Sequence, residues 1–241
     1  RLSPFDKLDM NRSFPGKASG SITEKITHYV ATELLPKVDY VIDFHSGGRS
    51  LEFLPVIIMH DLLDKKLRQQ TFNALQGFGG KYGLILEEID CVGMFDTYCE
   101  TNGKVFLTTE LSGGCDVNEE SIKTARSGLR NFLLQIEMLT TFDALKDWDV
   151  YSNTQTQMLS VPDPSHYVHA EIHGTFEPLI KPGVEVKKDE LIGYLHNLTH
   201  VEIEPHKLYA QTAGVIIAKR ALAQTVPGDC LFVIGKNNEN N

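Results

Sequence analysis

The stretch DYVIDFHSGG at positions 39–48 is an apolar run that stops abruptly on a histidine and two glycines. Asp43, His45 and Ser46 crowd its end, and Gly47 and Gly48 leave the backbone free to turn. A core strand often ends this way for packing reasons. A strand that delivers a metal ligand to the mouth of a site has to end this way. The same design recurs in KVFLTTELSGG at 104–114, where Glu110 stands at the end of the run before a second Ser-Gly-Gly.

Around these two strands the pattern alternates. SITEKITHYVATELL (21–35) opens on Ser21 with Glu24 three residues later, a capping-box spacing. Ile22, Ile26, Tyr29, Val30 and Leu34 then form one apolar face. LPVIIM (54–59) reads as a buried strand, and DLLDKKLRQQTFNALQGF (61–78) as a helix stopped by Gly79 and Gly80. LILEEI (84–89) is a further strand. NEESIKTARSGLRNFLLQIEML (118–139) is a long helix aligning Ile122, Ala125, Leu129, Phe132, Ile136 and Leu139. This alternation predicts a layered α/β fold with a mostly parallel mixed sheet.

After Trp148 the character changes. SNTQTQ (152–157) is a polar connector, and from Val161 onward short strands are punctuated by glycine and proline: YVHAEIHG, PLIKPGVEV, ELIGYL, AQTAGVIIAK, DCLFVIG. A small all-β, barrel-sandwich-like unit is expected there, which divides the chain into an α/β domain over residues 1–150 and a β-rich domain over 151–241.

Bulk properties narrow the function. A net charge of −9 lacks the basic footprint of a nucleic-acid surface. No apolar run approaches the ~20 residues of a membrane helix. Cys91, Cys99, Cys115 and Cys230 form no CxxC pair and no disulfide framework, which fits a reducing cytoplasm. The expected partner is therefore a small molecule, with no nucleic acid and no membrane; homo-oligomerisation is left open.

In a parallel α/β sheet, ligands gather at the carboxyl ends of the strands. A neutral imidazole (His45) and a carboxylate (Glu110) at adjoining strand ends suit zinc hydrolysis, the first binding Zn²⁺ and the second taking a proton from the metal-bound water. DMNRSFPG (9–16) sets Asn11 and Arg12 side by side, an amide and a guanidinium fork suited to clamping a substrate carboxylate. HAEIH (169–173) puts His169, Glu171 and His173 on one face of a strand, but three groups in line converge poorly on a tetrahedral ion, so this reads as a solvent face.

DMNRSFPG, DFHSGG and TTELSGG, in this order and followed by a β-rich tail, resemble the succinylglutamate desuccinylase/aspartoacylase family of zinc amidohydrolases, relatives of the zinc carboxypeptidases. The extended VIDFHSGGRSLEFLP resembles the branch that removes acetyl from N-acetyl-2,4-diaminobutyrate in bacterial ectoine breakdown. The resemblance implies a zinc-carboxypeptidase-like α/β domain, a single Zn²⁺ with His45 as its third ligand, and Glu110 as general base. It implies Asn11 and Arg12 as substrate-carboxylate binders and Arg1 as a further arginine that polarises the scissile carbonyl. The expected activity is removal of an acyl group, acetyl in the first instance, from an N-acyl amino acid. A peptide carboxypeptidase and a non-catalytic binding relative are the alternatives. The family takes its other two zinc ligands from a His-x-x-Glu motif ahead of the Asn-Arg pair, and no His-x-x-Glu occurs in these 241 residues. The chain opens on RLSPFDKLDMNRSFPG without an initiator methionine. The expectation is that this motif and the first strands of the sheet lie upstream of Arg1.

Overall fold

A computed structural model describes residues 2–87, 93–139 and 155–238. The helices are α1 (Ile22–Tyr29), α2 (Lys65–Phe78), α3 (Phe95–Thr101) and α4 (Glu119–Gln135). The strands of the first half are β1 (Tyr40–His45), β2 (Leu51–Phe53), β3 (Val56–His60), β4 (Tyr82–Leu86) and β5 (Val105–Glu110). Those of the second half are β6 (Gln157–Ser160), β7 (Tyr167–His169), β8 (Gly174–Pro178), β9 (Glu185–Val186), β10 (Leu191–His196), β11 (His206–Tyr209), β12 (Gly214–Arg220), β13 (Gln224–Thr225) and β14 (Cys230–Asn237).

One large sheet runs β1-β5-β3-β4-β6-β14-β12-β2. The pairs β1·β5, β3·β4 and β4·β6 are parallel, and β3·β5 is antiparallel. This is the mixed α/β sheet that the alternating pattern predicts. From β6 onward the pairing turns antiparallel, so strands from the β-rich half extend the sheet of the first half. A second antiparallel sheet, β11-β10-β8-β13, lies against them. Phe176, Ile192, Leu195 and Leu208 of the small sheet share a core with Ile216, Phe232 and Ile234 of the large one. Val215 and Ile217 face the other way, toward Val56, Ile58 and Leu84. β12 and β14 are thus buried on both faces, which is why GVIIAKR and CLFVIGKN read as continuous apolar runs with little alternation. The expected division near residue 150 falls among residues 140–154, outside the described residues.

α2 and α4 cover one face of the α/β sheet, packing Phe78, Leu75 and Phe132 onto Ile57, Met59 and Leu107. They approach closely because Gly128 of α4 has no side chain: a Cβ there would lie 2.0 Å from Phe78 Cε1. α3 and Leu35 cover the opposite face over Phe106 and Val41.

The run at 39–45 forms a strand as expected, and among the described residues it is the outermost strand of the large sheet and partly buried. Three expectations change in detail. The capping box at Ser21 and Glu24 forms as expected, yet α1 does not bury its apolar stripe. Ile22, Ile26, Tyr29 and Leu34 are exposed, while Thr23, Thr27, Ala31 and Leu35 are buried. The N-terminal segment decides this. Asp6 accepts hydrogen bonds from the backbone and hydroxyl of Thr23, and Thr27 donates to Ser13 O, so the threonine face is held inward. α4 likewise turns Ser127, Gly128 and Phe132 inward and leaves Ile122 exposed. α3, which has no strong apolar period, was not expected at all. Among the described residues no helix is long and apolar enough to cross a membrane.

Candidate active site

His45 and Glu110 are register partners on the parallel pair β1·β5. Side chains alternate along a strand, so Val41, Asp43 and His45 share one face with Phe106, Thr108 and Glu110. Both strands then break into Ser-Gly-Gly, and the two loops are locked together. Gly47 N–H donates to Ser112 O at 3.1 Å, and Cys115 N–H donates to Gly48 O at 3.1 Å. The glycines are needed because the start of β2 presses against both: a Cβ on Gly47 would lie 2.3 Å, and one on Gly113 2.0 Å, from Leu51 O. The repeated motif thus makes a rigid rim beneath the two polar strand ends.

His45 Nε2–H donates to Asp43 Oδ2 at 2.7 Å. That bond, aided by the negative charges of Asp43, Glu110 and Asp96 and opposed by burial, raises the proton affinity of the imidazole above its ordinary value. Glu110 is mostly buried, and burial pushes its carboxyl up to about 7 against the pull of His45. Its Oε2 is buried without a hydrogen-bond partner among the described residues. A carboxylate oxygen left without a partner is costly in a packed interior, so this one calls for substrate, water or an ion to complete it. Cys99, on the same side of the sheet, is no rival nucleophile: burial pushes its thiol up to about 12.

The Asn-Arg pair reaches this site through α3. Asp9 caps a short 3-10 turn over Met10–Arg12. Asn11 Oδ1 accepts from Phe95 N–H at 3.0 Å, so its side chain caps the first turn of α3. Phe14 stacks on Phe95, and Phe14 N–H donates to Gly93 O, fastening the segment further. Arg12 is exposed and lines a cleft of about 420 Å³ with His60, Glu87, Met94, Asp163 and Tyr167. The structure therefore joins His45 to Glu110 directly and tethers Asn11 and Arg12 to the helix beside them. Arg1 lies outside the described residues.

Sequence reading missed the groups contributed by α3 and by the end of β3. His60 Nδ1–H is shared between the two carboxylate oxygens of Glu100 at 3.1 and 3.0 Å, and its Nε2 lies 4.0 Å from Asp96 Oδ2. The one local signal was the Asp96–Glu100 spacing of four residues, which places both on one helix face.

A catalytic zinc takes three protein ligands. Among the described residues no group of three or more His, Cys, Asp or Glu side chains converges to hold one. His45 is one imidazole of the right kind, but the described residues do not by themselves complete a zinc centre. His169, Glu171 and His173 do not complete it either; Glu171 pairs with His206 at 3.6 Å.

Residues 1–136 match the family model of the succinylglutamate desuccinylase/aspartoacylase catalytic domain. The chain belongs to that family. Within the family it is similar to the N-alpha-acetyl-L-2,4-diaminobutyric acid deacetylase of Halomonas elongata, at 34% identity over 98% of this chain and 67% of that protein. Among solved structures, the product-bound ectoine utilization protein EutE (DoeB) of Ruegeria pomeroyi superposes with a TM-score of 0.89 at 37% identity, covering 98% of this chain and 69% of that one. A succinylglutamate desuccinylase from Silicibacter sp. TM1040 gives 0.89 at 36%, over 99% and 70%. The desuccinylase/aspartoacylase chain thus spans about two thirds of the length of these relatives.

Proposed function

We propose that this chain carries the hydrolytic site of a deacylase that removes an acyl group from an N-acyl amino acid, N-acetyl-2,4-diaminobutyrate being the first candidate. The observation that carries the reading is Glu110: a largely buried carboxylate with one oxygen that has no hydrogen-bond partner among the described residues, opposite an imidazole at the carboxyl end of a parallel strand pair. The similarity to a curated diaminobutyrate deacetylase supports the substrate class.

In this reading Arg12 holds the substrate's α-carboxylate in the cleft through its two-pronged guanidinium. Asn11, by capping α3, sets where that guanidinium stands. Glu110 takes the proton of the attacking water and passes it to the leaving amine, a role suited to a carboxyl brought near neutrality by burial. Asp43 orients the His45 ring. Zinc is the proposed cofactor, with His45 as one ligand and the others outside the described residues. The proposed setting is the cytoplasm.

Glu110→Gln should keep the fold and reduce turnover of N-acetyl-2,4-diaminobutyrate by ~10²-fold or more, the usual weight of a general base. Acetate release is the readout. Turnover within threefold of the parent would remove Glu110 from the chemistry.

A further inference from the structure

The cleft that Arg12 lines is shared by the two halves of the chain. Asp163 and Tyr167, from the segment between β6 and the start of β7, line it together with Arg12, His60 and Glu87 of the first half. A carboxylate offers about four lone-pair sites, and one guanidinium edge fills two of them at most. Arg12 is further committed, because its Nη1 donates to Asn11 O at 3.0 Å. Among the described residues that line the cleft, the only other side chains able to donate are His60 and Tyr167; the rest are apolar or are the carboxylates Glu87 and Asp163. The polar atoms of His60 already face carboxylates, Nδ1–H shared by Glu100 and Nε2 4.0 Å from Asp96 Oδ2.

Tyr167 differs. It opens β7 opposite Val233 of β14, and it packs on the core that holds Leu84, Val161 and Val233. Its ring also stacks on His169, with centroids 6.1 Å apart and 24° between the planes. The ring is therefore held in place, while its hydroxyl donates to no group among the described residues. Burial, with Cys230 adding to it, raises the proton affinity of the phenol, so it remains a neutral donor at neutral pH. We propose that the Tyr167 hydroxyl is the second donor to the substrate's α-carboxylate, acting with Arg12, so that each half of the chain holds one side of the same anion. This rests on the deacylase reading, in which Arg12 holds that carboxylate. A cleft of about 420 Å³ is small enough for one amino-acid-sized ligand to meet both walls. Tyr167 has no share in the proton transfer, so its loss shows in binding of the acid rather than in turnover.

The test compares calorimetric binding of 2,4-diaminobutyrate with that of its primary carboxamide, which has the same side chain and no carboxylate. The parent protein should bind the acid at least ~10-fold more tightly than the amide. Tyr167→Phe keeps the ring and its packing; it should weaken the acid ~10-fold, the weight of one hydrogen bond to a charged group, and hold the amide within ~2-fold. In an Arg12→Lys background the same change should weaken the acid by a smaller factor, because two donors to one carboxylate are coupled. KM for N-acetyl-2,4-diaminobutyrate should rise in Tyr167→Phe with kcat within ~2-fold of the parent. A loss shared equally by acid and amide, or no loss in either, overturns the role of Tyr167 and leaves Arg12 and the deacylase reading standing. Strictly additive effects of the Arg12 and Tyr167 substitutions do the same, since they put the hydroxyl on another group of the ligand. A parent protein that does not prefer the acid to the amide removes the carboxylate clamp itself, and Tyr167 with it.

Discussion

Burial of Glu110 predicts a penalty that its removal should relieve. The carboxyl is raised from 4.5 to about 7, chiefly because the folded protein takes it out of water. Below pH 4.5 it is protonated in folded and unfolded chains alike, and the folded form keeps its full stability. Between 4.5 and 7 the unfolded chain ionises while the folded one stays protonated, so stability falls. Above 7 both are ionised and the loss levels off. At about 1.4 kcal/mol per pH unit, the full loss is about 3 kcal/mol. His45, also raised in the folded state, loses its contribution in the same direction as pH rises, so the parent protein's slope contains both. Glu110→Gln removes the carboxyl, because glutamine has a similar shape and never ionises, together with the part of the His45 shift that Glu110 causes. Urea unfolding at pH 4, 6 and 8 should show the variant gaining on the parent by up to about 3 kcal/mol across the series, most of it between pH 5 and 7. The same substitution that ends turnover should therefore stabilise the fold at pH 8. Parallel stability curves for the two proteins would refute the reasoning, since Glu110 would then be as well solvated folded as unfolded.

Other substitutions separate clamp from cap. Arg12→Lys should raise KM for N-acyl amino acids about tenfold with little change in kcat, because a point charge cannot reproduce a bidentate fork; an equal response from substrates with amidated carboxyl groups would show that Arg12 does not hold the carboxylate. Asn11→Ala should lower stability by about 1 kcal/mol through loss of the α3 cap, measured by urea unfolding, with Asn11→Asp retaining most of it. An unchanged midpoint for Asn11→Ala would mean that the Phe95 amide finds another partner. His45→Ala should lower zinc uptake by equilibrium dialysis, and identical uptake in both proteins would place zinc elsewhere.

Much of this protein was legible in linear order. Local periodicity set out the strands ending at His45 and Glu110, the helix closed by Gly79, and the β-rich tail. Repetition of Ser-Gly-Gly marked the two polar strand ends as related, and the register then put them opposite each other. The tail's runs AQTAGVIIAK and DCLFVIG read only as short strands, and the fold decided that β12 and β14 are buried on both faces. What periodicity specifies is which residues share a face, not what that face meets. So the apolar stripe of α1 was visible but its outward orientation was not: that is settled by Asp6 and Ser13, hydrogen-bonded to Thr23 and Thr27 on its other side. The pairing of β1 with β5 was hidden for the same reason, because it joins residues 65 apart in the chain. Asn11 read as a clamp, and only the fold brings the Phe95 amide, 84 residues away, to its side chain. His60, Asp96 and Glu100 share no local motif and meet solely because β3 runs antiparallel to β5 beneath α3. Their burial together is a property of that meeting, since no segment of the chain contains them all at close range.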